Sequence, residues 1–585
     1  MKRLIPIAAG AIAIFACTPK PPPPAQFPPV SQGPNWTLAT RAEFYTQDQG
    51  SQLIPLRWAT ALKQPDGQPF LANSLNRYGY LTNDLAPASI LPVGFAPSGP
   101  LGSESLGLTC SACHTRQIEV KGTRYRIDGG PAIVDFQSFL TDLDTAVKTV
   151  IGNPDAFKTF AGSVLDQPAT PAQEAQLLDD VKAWFLRYDT QMSIALPDAA
   201  HRWGLSRLDA VAMIFDRLTG LDIGPAPSHL IPANLHAADA PVRYPFLWNA
   251  PIQDFTQWPG FAPNGNEIFS LSRNLGEVFG VFATFYPQKD PANWLLKIDY
   301  LNANSANFKG LGKLEGLIKD LGPPKFQWPI DEALARQGEA IFARASAQGG
   351  CVECHGIKPG VVRFYQQQTW ATPILDVGTD SREYQILART AQTGVLAGAK
   401  LPGGTPLKPV DSAINTLSLA VGGSILQTIV PAASREQAAA APATAKTAAS
   451  AQTVAATPEA LQVKQAFPPT PVGKAPQPTP DTFKYESRVL QGIWATAPYL
   501  HNGSVPTLAD LLKPAAERPA SFKVGPSYDP VNVGLAADQT GPSTTLNTTG
   551  CEARDSGNSR CGHEFGTTTL NADEKRALLE YLKEL

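Results

Sequence analysis

Gly349-Gly350-Cys351-Val352-Glu353-Cys354-His355-Gly356 decides how the chain is read, because two cysteines three apart followed at once by a histidine form the C-x-x-C-H attachment site of c-type haem. The two thiols bond the vinyl groups of a porphyrin, and the adjacent imidazole turns onto the iron as proximal ligand. The pattern recurs upstream at Cys110-Ser111-Ala112-Cys113-His114. A redox cysteine pair and half a zinc site are the competing readings. Zinc requires four closed ligands, and no second close cysteine pair lies within finger spacing of either motif. With seven cysteines and seven histidines in 585 residues, two such matches point to two covalently bound haem c groups, one on Cys110, Cys113 and His114, the other on Cys351, Cys354 and His355.

The other cysteines can be assigned too. Cys551 and Cys561 flank a loop of small and polar residues, and in an exported chain they pair as a disulfide. Cys17 ends a leader: Lys2 and Arg3 precede twelve uncharged residues and Ala16, the layout of an export signal, too short to span a bilayer. Ile14-Phe15-Ala16-Cys17 resembles a bacterial lipoprotein cleavage box, with Phe15 bulkier than that pattern prefers. Residues 1–17 are therefore read as leader and 18–36 as a proline-rich tether. This places the protein in a bacterial cell envelope, periplasmic or as an outer-membrane lipoprotein, with secretion as the alternative. It would touch membrane only through a lipid at Cys17. A net charge of −3 and 43% hydrophobic content describe an ordinary globular chain and give no basic surface for nucleic acid.

Apolar positions at helical spacing follow the first motif: Val134, Phe136, Phe139, Leu140, Leu143 and Val147, then Leu177, Leu178, Val181, Trp184 and Phe185, then Val211, Phe215 and Leu218. Glu332 to Phe342 reads as the helix preceding a class I cytochrome motif, and the end of the chain, where Asn571 caps and Glu574 follows three residues later, as that fold's last helix. The expected class is mainly α: two cytochrome c-type haem domains with long loops and little strand. They span 37–325 and 326–585, the second interrupted by a low-complexity insertion at 431–480.

The ligands completing the irons are partly legible. Apart from the initiator, the methionines are Met192 and Met213, both far upstream of the second motif, so histidine/methionine ligation is unavailable there. Beyond His355 only His501 and His563 carry an imidazole. His563 is preferred because the disulfide would fix its loop; His501 is the runner-up, with a role beside a haem propionate, and Tyr485 and Tyr499 are weaker candidates. For the first haem His201, His229, His236, Met192, Met213 and an open position all stand. The aromatic-rich stretch 244–287 could be ordinary core or a wall over that haem.

CSACH, RIDGGPAIVDF, RNLGEVFGVF, CVECHG, GIWATAPYLHNGSVPTL and CGHEFGT together resemble the bacterial dihaem cytochrome c peroxidase superfamily, most nearly its branch of dihaem rubber oxygenases. The resemblance implies an open or oxygen-binding haem at His114 and a bis-histidine haem at His355 closed by His563. It also implies Trp258 near the path between haems, Phe279 or Phe282 lining the oxygen pocket, and Glu277 as the carboxylate that assists peroxide cleavage. Calcium is a further candidate ion, hydrogen peroxide or dioxygen the oxidant, and the redox partner protein unspecified. The insertion and the lipoprotein-like leader depart from the pattern of a secreted polymer-degrading enzyme. The competing function is pure electron transfer with both haems six-coordinate.

Overall fold

The computed structural model describes residues 30–199, 201–293, 295–363, 368–429 and 483–585. The leader, most of the tether and the 431–480 insertion lie outside the described residues.

Residues 30–36, read as the end of the tether, are packed instead. The Gln32 amide brackets Asp128, donating to its carbonyl at 2.8 Å and accepting its N–H at 2.9 Å. Trp36 Nε1, Arg41 Nε and the Tyr45 hydroxyl donate to the Asp128 carboxylate at 2.8, 2.6 and 2.7 Å. A carboxylate with no exposure is held only by donors on this scale, and the segment at 30–36 supplies part of them.

The helical stripes form as their spacing requires. Asp135 caps the helix Phe136–Gly152, which buries Phe136, Phe139, Leu140, Leu143 and Val147. Thr170 and Gln173 make a capping box ahead of Pro171–Ala195, which buries Leu177 and Val181. The third stripe divides: Ala210–Phe215 is α-helical and Asp216–Asp222 widens into π-helical turns.

Strand is more frequent than expected. Among the described residues it occurs as one three-stranded sheet and nine two-stranded pairs, all short. The longest flanks the first motif, Thr115–Val120 against Thr123–Asp128, and fixes the chain leaving His114. Such pairs are staples between loops, carry little periodic signal, and escape a reading based on period.

Near the C-terminus Glu332–Phe342 packs on Ala572–Glu584, each helix capped at its start by Asp331 and Asn571. The contact is close because Gly338 has no side chain: a Cβ there would sit 2.0 Å from the Ala577 carbonyl oxygen. Alanine ordinarily stabilises a helix over glycine by about 1 kcal/mol. Here the clash wins, and Gly338→Ala is expected to lower unfolding free energy by about 1–3 kcal/mol, read from the urea midpoint. One apolar core joins Trp36, Phe246 and Trp248 with Trp494, Leu578 and Leu582, so residues on either side of position 325 share it. No described helix is long and apolar enough to cross a membrane.

Candidate functional site

Each C-x-x-C-H motif opens onto a cavity, and each cavity gives about 160 Å³ to the centres of water molecules. Cys351, Cys354 and His355 line the second, together with His501, His563, Tyr485, Tyr499 and an apolar floor that includes Leu508, Leu578 and Leu582. His355 lies in the one-turn helix Val352–His355, and its Nδ1 meets the Arg488 carbonyl at 2.7 Å. Donating Nδ1–H there leaves Nε2 free as a lone pair, the arrangement that orients a metal-binding imidazole.

His563 faces His355 with ring centroids 6.0 Å apart. Two imidazole nitrogens on opposite sides of one metal, each about 2 Å from it, lie about 4 Å apart, and the ring centroids, each roughly 1 Å further back, about 6 Å apart. His563 is held hard. Its φ is +52°, a left-handed conformation costly for a residue with a side chain. Its N–H donates to the Val377 carbonyl at 2.8 Å, and the buried Arg518 guanidinium collects the carbonyls of Arg560, Gly562 and His563 at 2.7, 2.7 and 3.2 Å. The Cys551–Cys561 disulfide expected from the sequence is formed and anchors the segment two residues upstream.

The other second-site candidates are already engaged. The His501 ring stacks flat on Tyr485, 3.8 Å between centroids and 15° between planes. The Tyr485 hydroxyl accepts the Tyr384 N–H at 3.2 Å, and the Tyr499 hydroxyl donates to the Val533 carbonyl at 3.1 Å. Burial lowers His501 and His563 to about 3 and His114 to about 4, so these imidazoles are neutral at ordinary pH.

Cys110, Cys113 and His114 line the first cavity with Tyr244, Thr256, Gln257, Arg273, Asn274 and Glu277. Of the sixth-ligand candidates His201, His229, His236, Met192 and Met213, Met213 alone lines it. His201 pairs with Asp198 at 2.9 Å, and His229 stacks on Tyr286 at 4.3 Å. The Met213 sulfur accepts the Gln191 amide at 3.6 Å.

Glu277, on the helix Glu267–Gly280, accepts from Gln257 Nε2 at 2.5 Å. Burial raises its pKa, with Gln257 and Arg273 opposing. The two phenylalanines expected beside it are elsewhere. Phe279 stacks on Phe285 at 4.5 Å, Phe282 lies under the Arg217 guanidinium at 4.7 Å, and neither lines the cavity. Gly280 and Val281 line it instead, because i+3 and i+4 share the face of Glu277 and i+2 does not.

Arg243, Phe246, Trp258, Glu486 and Arg488 line both cavities and form the partition between them. Trp258 Nε1 donates to the Arg243 carbonyl at 2.9 Å, and the Arg243 guanidinium lies 4.7 Å over the Trp258 ring. Trp258, which the resemblance put near the path between haems, lines both cavities. Arg243, Phe246, Glu486 and Arg488 were not legible as site residues, since lone arginines and glutamates scattered over 245 positions carry no spacing to read.

The residues present fit haem c. The four motif cysteines are free, and burial pushes Cys110 and Cys113 up to about 12 and Cys351 to about 11. A thiol–disulfide switch needs a readily formed thiolate, which burial disfavours here. Thr256 Oγ1 and Arg488 Nε, on residues lining the first cavity, are buried polar atoms without hydrogen-bond partners among the described residues.

Buried carboxyls give a pH prediction. Burial raises Glu486 and Asp222 to about 7, and Asp209 and Asp380 to about 6. Unfolded carboxyls titrate near about 4, so between about 4 and 7 these four groups hold more protons in the folded chain and their contribution to stability falls as pH rises, while the buried imidazoles pull the other way. Asp222→Asn removes one of the falling contributions, so its urea midpoint is expected to fall less, or rise more, than the parent's as pH is raised across that window.

A family profile described as RoxA-like, cytochrome c-like matches residues 484–523, the segment that supplies Glu486, Arg488, Tyr499 and His501. That segment is similar to a cytochrome c-like domain of the RoxA type, which supports haem c as the bound group and a haem-based oxidoreductase as the class. Over nearly its whole length the chain is similar to the uncharacterized protein y4iJ of Sinorhizobium fredii (strain NBRC 101917 / NGR234), 31% identical with 94% of this chain and 92% of that protein covered. It belongs to the same family. The uncharacterized protein y4iM of that strain is 26% identical over 58% of this chain and 63% of its own.

Proposed function

We propose that the chain is an exported dihaem c-type oxidoreductase in which the first site reacts with hydrogen peroxide or dioxygen and the second is a bis-histidine electron-transfer centre. One asymmetry carries this reading: the second cavity sets His563 opposite His355, whereas in the first no described histidine besides His114 lines the wall. Bound haem would supply a redox-active iron that exchanges electrons and, where a position is open, binds a small oxidant.

The chain's residues divide the work. Cys110, Cys113 and His114 hold one group; Cys351, Cys354, His355 and His563 hold the other. Glu277 places a carboxyl within the first cavity that can take up or return a proton, its pKa raised by burial and its position set by Gln257. Trp258 places an aromatic ring in the wall common to both sites. His501, stacked on Tyr485, shapes the second cavity without serving as ligand. The envelope location and a lipid at Cys17 follow from the leader. The fit of Met213 into the first wall favours a second reading, a pure electron carrier with His114 and Met213 both bound.

Spectra of the ferric protein from a host competent in cytochrome maturation separate the two. A high-spin fraction, with carbon monoxide binding on reduction, is expected. Two low-spin haems inert to carbon monoxide would establish the carrier, and fewer than two haems per chain would overturn both. Hydrogen peroxide turnover measured beside oxygen uptake on an unsaturated hydrocarbon then assigns the oxidant.

A further inference from the structure

One residue of the partition touches both sites in different ways. The Arg488 carbonyl receives the His355 Nδ1–H at 2.7 Å, which ties its backbone to the second site's imidazole. Its guanidinium lies 4.1 Å over the Phe246 ring and donates to the Phe246 carbonyl at 2.8 Å and to Gln253 Oε1 at 2.6 Å. Nε, 3.5 Å from Glu486 Oε1, has no hydrogen-bond partner. The side chain is 5% exposed, so this cation is buried with its donors incompletely used. Arg488 lines the first cavity as well, beside Arg243 and Glu486.

We propose that Arg488 is a positioning residue for both sites: its carbonyl fixes the tautomer of His355, and its guanidinium in the first cavity's wall makes the second site respond to what occupies the first. This rests on the dihaem reading above. A negative group entering the first cavity draws on the guanidinium, the segment 486–488 follows, and the hydrogen bond that sets the basicity of His355 changes length. The coupling is direct because a single residue separates cause from effect. Its peptide and side chain are joined covalently, and the neighbouring pairing of Ile374–Leu375 with Tyr485–Glu486 leaves the segment little freedom to absorb the displacement.

The test uses the full chain carrying haem, with cyanide as probe of the first site and the second site's midpoint potential as readout. By linkage, cyanide affinity at the first site differs between the oxidised and reduced second site, expected at about 5- to 150-fold. Arg488→Gln, which keeps the carbonyl and removes the charge, is expected to bring that ratio to unity, and Arg488→Lys to retain part of it. An unchanged ratio in Arg488→Gln overturns the inference. If that variant does not take up both haems, Glu486→Gln replaces it; a reduced ratio supports the inference and an unchanged one overturns it. Haem content is measured on the same samples. A parent protein with two haems, cyanide binding and a ratio of one refutes this inference alone. One with fewer haems, or binding no cyanide, refutes the functional reading and this inference with it.

Discussion

On the proposed dihaem reading, His563→Ala is expected to convert the second haem from low-spin to high-spin and to make it bind carbon monoxide when reduced, while His501→Ala leaves it low-spin. The distinction rests on geometry. His563 opposes His355 at a centroid spacing of 6.0 Å, whereas the His501 ring is laid flat on Tyr485. The cost of holding His563 at φ +52° gives the same answer. A left-handed residue of this kind costs about 1–3 kcal/mol and persists only where its surroundings over-determine it. Here they do: Arg518 gathers three carbonyls of the loop, and the Cys551–Cys561 bridge closes it from upstream. His501 itself carries no such φ, the left-handed residue of its loop being Leu500 at +62°, and its loss should remove a stacking contact of about 0.5–1.5 kcal/mol. An unchanged low-spin spectrum in His563→Ala would remove His563 from the ligand set.

Glu277→Gln is expected to lower hydrogen peroxide turnover by about 10²- to 10⁴-fold, the range for a positioned general acid or base, with both haems retained. Glutamine preserves shape and a hydrogen bond to Gln257, so the loss would report the proton and not the packing. Because burial raises the Glu277 pKa, the limb of the parent's pH profile that reports this carboxyl should be displaced upward from the ordinary carboxylate value and vanish in the variant. Turnover within a factor of about two of the parent, well under one pKa unit's worth of free energy, would strip Glu277 of the role.

Much of this was legible along the chain because its signals are local. The C-x-x-C-H spacings, the caps at Asn571 and Asp331 and the stripe from Phe136 to Val147 lie within a few residues, and the pairing of Cys551 with Cys561 followed from accounting for every other cysteine. Phe279 and Phe282, which the resemblance put at the oxygen pocket, miss the first cavity for different reasons: Phe279 is two residues on from Glu277, where the helix has turned away, and Phe282 lies past the helix end at Gly280 with φ +75°, so Gly280 and Val281 meet the cavity. Gln32 and Trp36 were lost inside a proline-rich run whose composition resembles a tether, because the buried Asp128 that recruits them is 92 or more residues distant. The short strand pairs, each too brief to show a period, could not be read at all.

The amino-acid order by itself determined the attachment chemistry: which thiols, which proximal imidazoles, and how many such motifs, since those depend on neighbours bonded in series. Only the folded chain decided what lies across from each imidazole and what divides the two cavities. Arg243, Phe246, Trp258, Glu486 and Arg488 come from two segments more than two hundred positions apart, and burial alone brings their charges and rings into one wall. Proximity through space has no spacing along the chain, so packing must be seen before it can be argued.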